Sequence, residues 1–251
     1  MENRRRGIYL LPNLFTTAAL FAGFYAIVAA IDSRFEAAAI AIFVAMILDG
    51  MDGRIARMTN TQSAFGVQYD SLSDLASFGI APALVIYLWS LYSMGKLGWL
   101  AAFIYTAAAA LRLARFNTQA ASDVKQFFQG LPSPTAAALI AGFVWMGDAY
   151  GLNDGTTILV FSFPLTILAG ILMVSNIRYH SFKHFDLHGR VPFVAVLIVV
   201  LIYVFIASEP PLVLFLMALL YTLSGPVFTL VLLHRHRMQR SKPETPGDPT
   251  E

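Results

Sequence analysis

Four aspartates fall within 26 residues of a 251-residue chain that has only 15 acidic residues in all: Asp49 and Asp52, then Asp70 and Asp74. Spacings of three and of four put each pair on one face of a helix. The first pair lies in Asp49-Gly50-Met51-Asp52-Gly53-Arg54-Ile55-Ala56-Arg57 and the second in Gly66-Val67-Gln68-Tyr69-Asp70-Ser71-Leu72-Ser73-Asp74, where one apolar run ends and the next begins. A carboxylate near hydrocarbon is costly, about 2.5–3.5 kcal/mol at a helix centre, and four together repel one another. Arg54 and Arg57 could neutralise part of that charge, but a divalent cation accounts better for the paired spacing. With oxygen ligands only, Mg²⁺ or Mn²⁺ is expected, with Ca²⁺ as the third option, rather than zinc. Magnesium keeps positions open for water or phosphate, so the chemistry indicated is metal-assisted phosphoryl transfer. Gly53 and Ala56 continue the first acidic stripe and leave room for a ligand to approach.

The elements that must hold these residues are membrane helices. The chain is 57% hydrophobic and 13% charged, against about 25% charged in a soluble domain. Apolar segments recur at about 12–31, 35–55, 72–93, 97–116, 134–149, 156–176, 191–207 and 211–234. They predict an all-α, polytopic bundle of about eight transmembrane helices. The fifth and seventh are short, so six helices plus two shallow ones is the variant reading. Residues 1–234 form one membrane domain, and 235–251 form a basic tail, then a Pro-, Thr-, Glu- and Gly-rich one, expected to be disordered. Arg4-Arg5-Arg6 and the run behind them read as a retained first helix rather than a cleaved signal. The absence of cysteine excludes disulfides, thiolate metal sites and a cysteine nucleophile.

With the N-terminus inside, 15 of the 17 Lys and Arg collect on the inner side and only Arg34 and Lys96 on the outer. This asymmetry predicts both termini, and the acidic stretch, at the cytoplasmic face. Two arginines there, Arg112 and Arg115, share a helix face and could grip a carboxylate or phosphate with forked hydrogen bonds. Asn117, Gln129 and Ser133 lie near enough in sequence to assist. Residues 178–190, with His180, Lys183, His184, Phe185 and His188, read as an interfacial segment touching lipid headgroups. No nucleic-acid partner is expected.

The acidic stretch resembles the signature of the CDP-alcohol phosphotransferase family at every fixed position: Asp49, Asp52, Gly53, Ala56, Arg57, Gly66, Asp70 and Asp74. Leu11-Pro12-Asn13-Leu14-Phe15-Thr16, Leu111-Arg112-Leu113-Ala114-Arg115-Phe116-Asn117, Gly130-Leu131-Pro132-Ser133-Pro134 and Ser175-Asn176-Ile177-Arg178-Tyr179 are similar to its phosphatidylserine synthase branch. The resemblance implies transfer of the phosphatidyl group from CDP-diacylglycerol to the hydroxyl of L-serine, giving phosphatidylserine and CMP. It implies Asp49, Asp52 and Asp70 around the metal, and Asp74 as general base and ligand of a second metal. Gly53, Ala56, Arg57 and Gly66 would line the CDP moiety, and Arg112 and Arg115 would meet the serine carboxylate or a phosphate. It further implies a homodimer in the cytoplasmic (inner) membrane. A serine hydroxyl is a poor nucleophile, so a carboxylate within hydrogen-bond reach must take its proton.

Two other readings bear on the same residues. A sister enzyme would use glycerol 3-phosphate, inositol phosphate or choline as acceptor. A divalent-cation transporter would also place carboxylates in a membrane, but along a pathway near the bilayer centre.

Overall fold

The computed structural model describes residues 3–59, 63–119, 127–152, 155–180 and 193–240. Its helices are α1 (Asn3–Ile31), α2 (Phe35–Met58), α3 (Ala64–Trp89), α4 (Lys96–Gln119), α5 (Ser133–Ala149), α6 (Gly155–Val174), α7 (Phe193–Ser208) and α8 (Pro210–Arg240). Each apolar segment of the sequence thus becomes a helix, and the fold is an all-helical bundle. Five stretches among the described residues are long and apolar enough to cross a membrane: Pro12–Ile31, Ala64–Trp89, Lys96–Thr118, Thr157–Val174 and Pro210–Thr229. α5 and α7, at 17 and 16 residues, fall short of the ~20 that span a bilayer without thinning it. α2 carries the charged end of the acidic stretch.

α3 begins at Ala64, well before the apolar run expected from residue 72. Its first turns mix Ala64, Phe65 and Val67 with Gly66, Gln68 and Asp70 and are started by Ser63, whose hydroxyl accepts from the Gly66 amide at 3.0 Å, an N-cap of the usual kind. The helix widens into a π-helical turn over Leu75–Ile80, directly after Asp74. Such turns are rare within α-helices and cluster at functional sites.

Close approach of small residues brings the first three helices together. α1 presents Ala19, Ala22, Ala26, Ala29 and Ala30, and α2 answers with Ala38, Ala41 and Ala45, all buried. Between helices in lipid this dispersion contact, rather than water exclusion, drives association. α1 meets α3 along a polar seam: the Ser73 hydroxyl donates to the Thr16 carbonyl and the Ser77 hydroxyl to the Ala19 carbonyl, each at 3.1 Å. Gly23 makes this possible, because a Cβ there would lie 2.5 Å from Ser77 Oγ and 2.7 Å from Ser77 Cα.

α5 is the central helix, with Ala136 through Val144 buried on every side and α2, α3, α6 and α8 packed around it. The connection before it contains β1 (Phe127–Gln129), paired antiparallel with β2 (Arg178–His180) after α6, in the register Phe128 opposite Tyr179. Gly130 follows in a left-handed conformation (φ +79°), its amide donating to the Ile177 carbonyl at 2.9 Å. The ladder ties two connections together at the end of the bundle that carries the C-terminus of α2 and the N-terminus of α3. Of the expected interfacial segment 178–190, Arg178–His180 form β2 and the remainder lies outside the described residues. α8 runs on to Arg240, past the boundary expected at residue 234; the tail from 241 also lies outside them.

Gly23→Val should force α1 away from α3. A loss of about 1–3 kcal/mol is expected from overpacking, visible as a lower thermal midpoint of the purified protein in detergent; an unchanged midpoint would mean that the helices do not approach this closely.

Candidate active site

The C-terminal half of α2 and the first turns of α3 deliver three of the four aspartates to one point. Asp49, Asp70 and Asp74 each offer a carboxylate oxygen, and these oxygens lie within 4.8 Å of one another. Asp49 and Asp74 are close enough to share a hydrogen bond. Asp70 Oδ1 is buried and has no hydrogen-bond partner among the described residues. Two like charges 4 Å apart at an effective dielectric constant of about 20 repel by about 4 kcal/mol, so this grouping calls for positive charge among the oxygens. The unpartnered Asp70 oxygen and the all-oxygen donor set fit a hard divalent cation.

Asp52 stands beside this group, within electrostatic reach of Asp49 and Asp70. It is buried, and its Oδ2 accepts from the Thr16 hydroxyl at 2.7 Å. Thr16 has a second acceptor in the Pro12 carbonyl at 3.2 Å. The fourth aspartate is thus held from α1, beside the group of three but not in it. Thr16 belongs to the Leu11–Thr16 run whose resemblance is noted above; nothing in its residue type marked it for this role, since a threonine in an apolar helix ordinarily bonds its own preceding turn.

The small residues of the acidic stretch border open space. A Cβ at Gly53 would meet nothing within 4 Å, and one at Gly66 would meet only Ser63 Oγ at 3.1 Å and Asn13 Oδ1 at 3.5 Å. Ala56 is half-buried and Arg57 exposed at the end of α2. On the far side of this opening the Thr17 and Tyr69 hydroxyls are 2.9 Å apart, linking α1 to α3.

The two arginines expected to act on one group part company. Arg112 Nη1 donates to the buried Ser133 hydroxyl at 2.8 Å, at the start of α5. Its Nε is buried and has no partner among the described residues, and its guanidinium is within electrostatic reach of Asp74, Tyr221 and Tyr105. Arg115 instead donates to the Val174 carbonyl at 3.1 Å and to Asn176 Oδ1 at 3.4 Å, closing the C-terminus of α6 where a cation is electrostatically favoured. Asn117 is engaged by Ser71, its Nδ2 2.9 Å from the serine hydroxyl, so it pins α3 to α4. Gln129 is exposed at the end of β1. Tyr221, from α8, was invisible in the sequence, where a lone tyrosine in an apolar run reads as a packing residue.

The geometry can be set beside known proteins. The chain is 41% identical to the CDP-diacylglycerol–serine O-phosphatidyltransferase of Helicobacter pylori, over 70% of this chain and 74% of that protein. It is 39% identical to the enzyme of the same name from Mycobacterium bovis, over 69% and 62%. It is 33% identical to the archaetidylserine synthase of Methanothermobacter thermautotrophicus, over 67% and 69%. The model of the CDP-alcohol phosphatidyltransferase family matches residues 9–177, the span that supplies the three converging aspartates, Asp52 on its threonine and the half-engaged Arg112, and the chain belongs to that family.

Proposed function

We propose that this protein transfers the phosphatidyl group of CDP-diacylglycerol to the hydroxyl of L-serine, releasing CMP. The observation that carries the reading is the convergence of Asp49, Asp70 and Asp74 near the Arg112 guanidinium, whose buried Nε has no partner among the described residues. Serine appears in the names of all three relatives, as acceptor in two and within the product in the third. That agreement favours serine over glycerol 3-phosphate, inositol phosphate or choline. The carboxylates lie at one end of the bundle rather than along a midplane pathway, which disfavours a transporter.

Asp49, Asp52, Asp70 and Asp74 would hold the metal, Mg²⁺ or Mn²⁺, which when bound supplies charge to offset that developing on the phosphate and the departing CMP. The chain's own residues do the rest. Gly53, Ala56, Arg57 and Gly66 border the opening in which the CDP moiety lies, where the missing side chains let it come close to backbone. Arg112 turns its Nε, unpartnered among the described residues, to the serine carboxylate, a charge-assisted hydrogen bond. Arg115 supports that end of the site by closing α6. Asp74 takes the proton of the serine hydroxyl as the new O–P bond forms and the bond from phosphorus to CMP breaks. Direct displacement needs no covalent enzyme intermediate, since positioning and charge supply most of the acceleration. The site opens to the cytoplasm, the side that collects 15 of the 17 basic residues, and sideways to lipid for the acyl chains. The homodimer in the cytoplasmic membrane belongs to the same reading.

The deciding assay follows CMP release from CDP-diacylglycerol by the purified protein. Serine-dependent release is expected; release only with another alcohol, or cation flux into sealed vesicles with no CMP formed, would overturn the assignment. Asp74→Asn should nearly abolish turnover while CDP-diacylglycerol still binds, and lost binding with turnover preserved in the bound fraction would contradict the base role. Thr16→Val should weaken Mn²⁺ binding about tenfold, the scale on which partners of metal ligands act, with Thr16→Ser restoring it; titration by electron paramagnetic resonance reads this without turnover. Arg112→Ala should raise the KM for serine more than that for the lipid, and equal effects on both would argue for phosphate binding or a structural role.

A further inference from the structure

The end of the bundle away from the aspartates holds a cavity that the proposed chemistry does not use. Its volume is about 460 Å³, within the ~300–1,000 Å³ of small-ligand sites. The last residue of α3, the end of α5, the connection to α6, the first turns of α6 and the start of α8 line it. Asp74 and Trp89 are 15 residues apart on α3, a rise of about 22 Å, so cavity and aspartates lie toward opposite leaflets of the membrane.

The packing around α5 keeps this space open. A Cβ at Gly147 would collide with the Trp89 ring, and one at Gly142 would lie 2.9 Å from the Phe215 Cα, so these glycines draw α3 and α8 onto α5. Phe143 stands edge-on to Trp89 with centroids 5.7 Å apart, and tilted against Phe215 at 5.6 Å. The three rings brace one another and form one wall. On the α6 side, Phe161 both lines the cavity and is 59% exposed, within the stretch Thr157–Val174 that is apolar enough to cross a membrane. The lining is therefore continuous with the lipid-facing surface of the bundle.

What fills the cavity follows from the chemistry of its wall. Left empty, it would cost stability in proportion to its volume. A buried water needs about two to four polar partners, and among the described residues that line the cavity Thr157 has the one hydroxyl. A charged ligand would meet no charged side chain among them. An alkyl chain forfeits no hydrogen bond there, and the bilayer around α6 supplies one. We propose that the cavity seats one acyl chain of a glycerophospholipid from the leaflet opposite the aspartate group. The chain lies against the Trp89, Phe143 and Phe215 rings and against Met146, whose unbranched side chain adapts to an irregular neighbour. It thereby joins α6 and α8 where both pack on α5. This lipid is distinct from the reacting one, whose phosphate must reach Asp74.

The test places the purified full-length protein in vesicles of phosphatidylethanolamine and phosphatidylglycerol, with a trace of phosphatidylglycerol carrying a diazirine on one acyl chain. After illumination, mass spectrometry of peptides locates the label. Phe143, Met146 and Phe161 should be labelled severalfold more than Leu168 and Ile171, exposed residues of α6 that passing lipid touches. Thr157→Trp fills the cavity and should lower the label on the first three severalfold while leaving Leu168 and Ile171 unchanged; Met146→Trp fills it from α5 and serves if the first variant fails to fold. Excess CDP-diacylglycerol should not compete, and displacement by it would reassign the cavity to the reacting lipid. Equal labelling of the lining and of Leu168, or labelling that neither filling variant reduces, would overturn the inference. So would an unlabelled lining together with a disulfide-linked pair of chains formed on oxidation of Phe161→Cys, in a sequence that has no other cysteine, since the cavity would then belong to a second copy.

Discussion

Like charges at close range at the end of an apolar bundle set the terms for the rest of the molecule. The oxygens of Asp49, Asp70 and Asp74 come within 4.8 Å, and nothing in the helices that carry them offsets that repulsion. Arg54 and Arg57 follow on α2, but both are exposed and no ion pair joins them to the aspartates among the described residues. The grouping must be imposed by packing elsewhere and relieved by something bound. The alanine faces of α1 and α2, the Gly23–Ser77 contact and the Ser73 and Ser77 bonds to α1 carbonyls supply the packing. They fix α2 and α3 against a shared third helix, so the two acidic ends cannot drift apart.

The π-helical turn of α3 belongs to the same arrangement. It falls directly after Asp74 and separates the acidic start of the helix from its buried remainder. Within it, Gly79 comes close to Ala109 of α4, and the Phe78 carbonyl takes the Tyr105 hydroxyl. A widened turn weakens the helix's own ladder, and a partner from the next helix compensates. α4 thereby holds α3 from the side opposite α1 and carries Arg112 three residues beyond Ala109. The position of the guanidinium and that of Asp74 are set by one contact region.

Much of this was legible in the residues. Every apolar segment became a helix, because runs of this length have no other way to satisfy their backbone in lipid. α3 begins eight residues before its apolar run, because its first turns mix apolar residues with Gly66, Gln68 and Asp70 and hydropathy does not register them; Ser63 marks the start only as a cap. The spacing of the aspartates identified a convergent site, but not which three converge. That depends on Thr16, 36 residues before Asp52, and no local pattern reports a bond across that interval. The arginine pair shows the same limit. Arg112 and Arg115 are three residues apart on α4, yet the start of α5 takes one and the end of α6 takes the other, so a shared face did not become a shared protein partner. Tyr221 stood outside the resemblance and inside an apolar run, and only its electrostatic reach to Arg112 connects it with the site.

Asp74 is the group in which these separate constraints meet. Asp49 is within hydrogen-bond reach on one side and the Arg112 guanidinium within electrostatic reach on the other. Toward α1 and α2 lie the open surfaces at Gly53 and Gly66; toward α5 and α8 lie Ser133 and Tyr221. On the proposed reading the first side takes the nucleotide and the second the amino acid, so the bond to be formed lies between them. A carboxylate shared by both sides can meet the acceptor hydroxyl only when both are occupied. Its charge is also balanced from two directions, by whatever the acidic group binds and by the guanidinium. The remaining aspartates have no such double exposure, and Asp52 least of all, since it is held from α1 by Thr16. The case for Asp74 as the proton acceptor therefore rests on position between two half-sites rather than on any property of the carboxylate by itself.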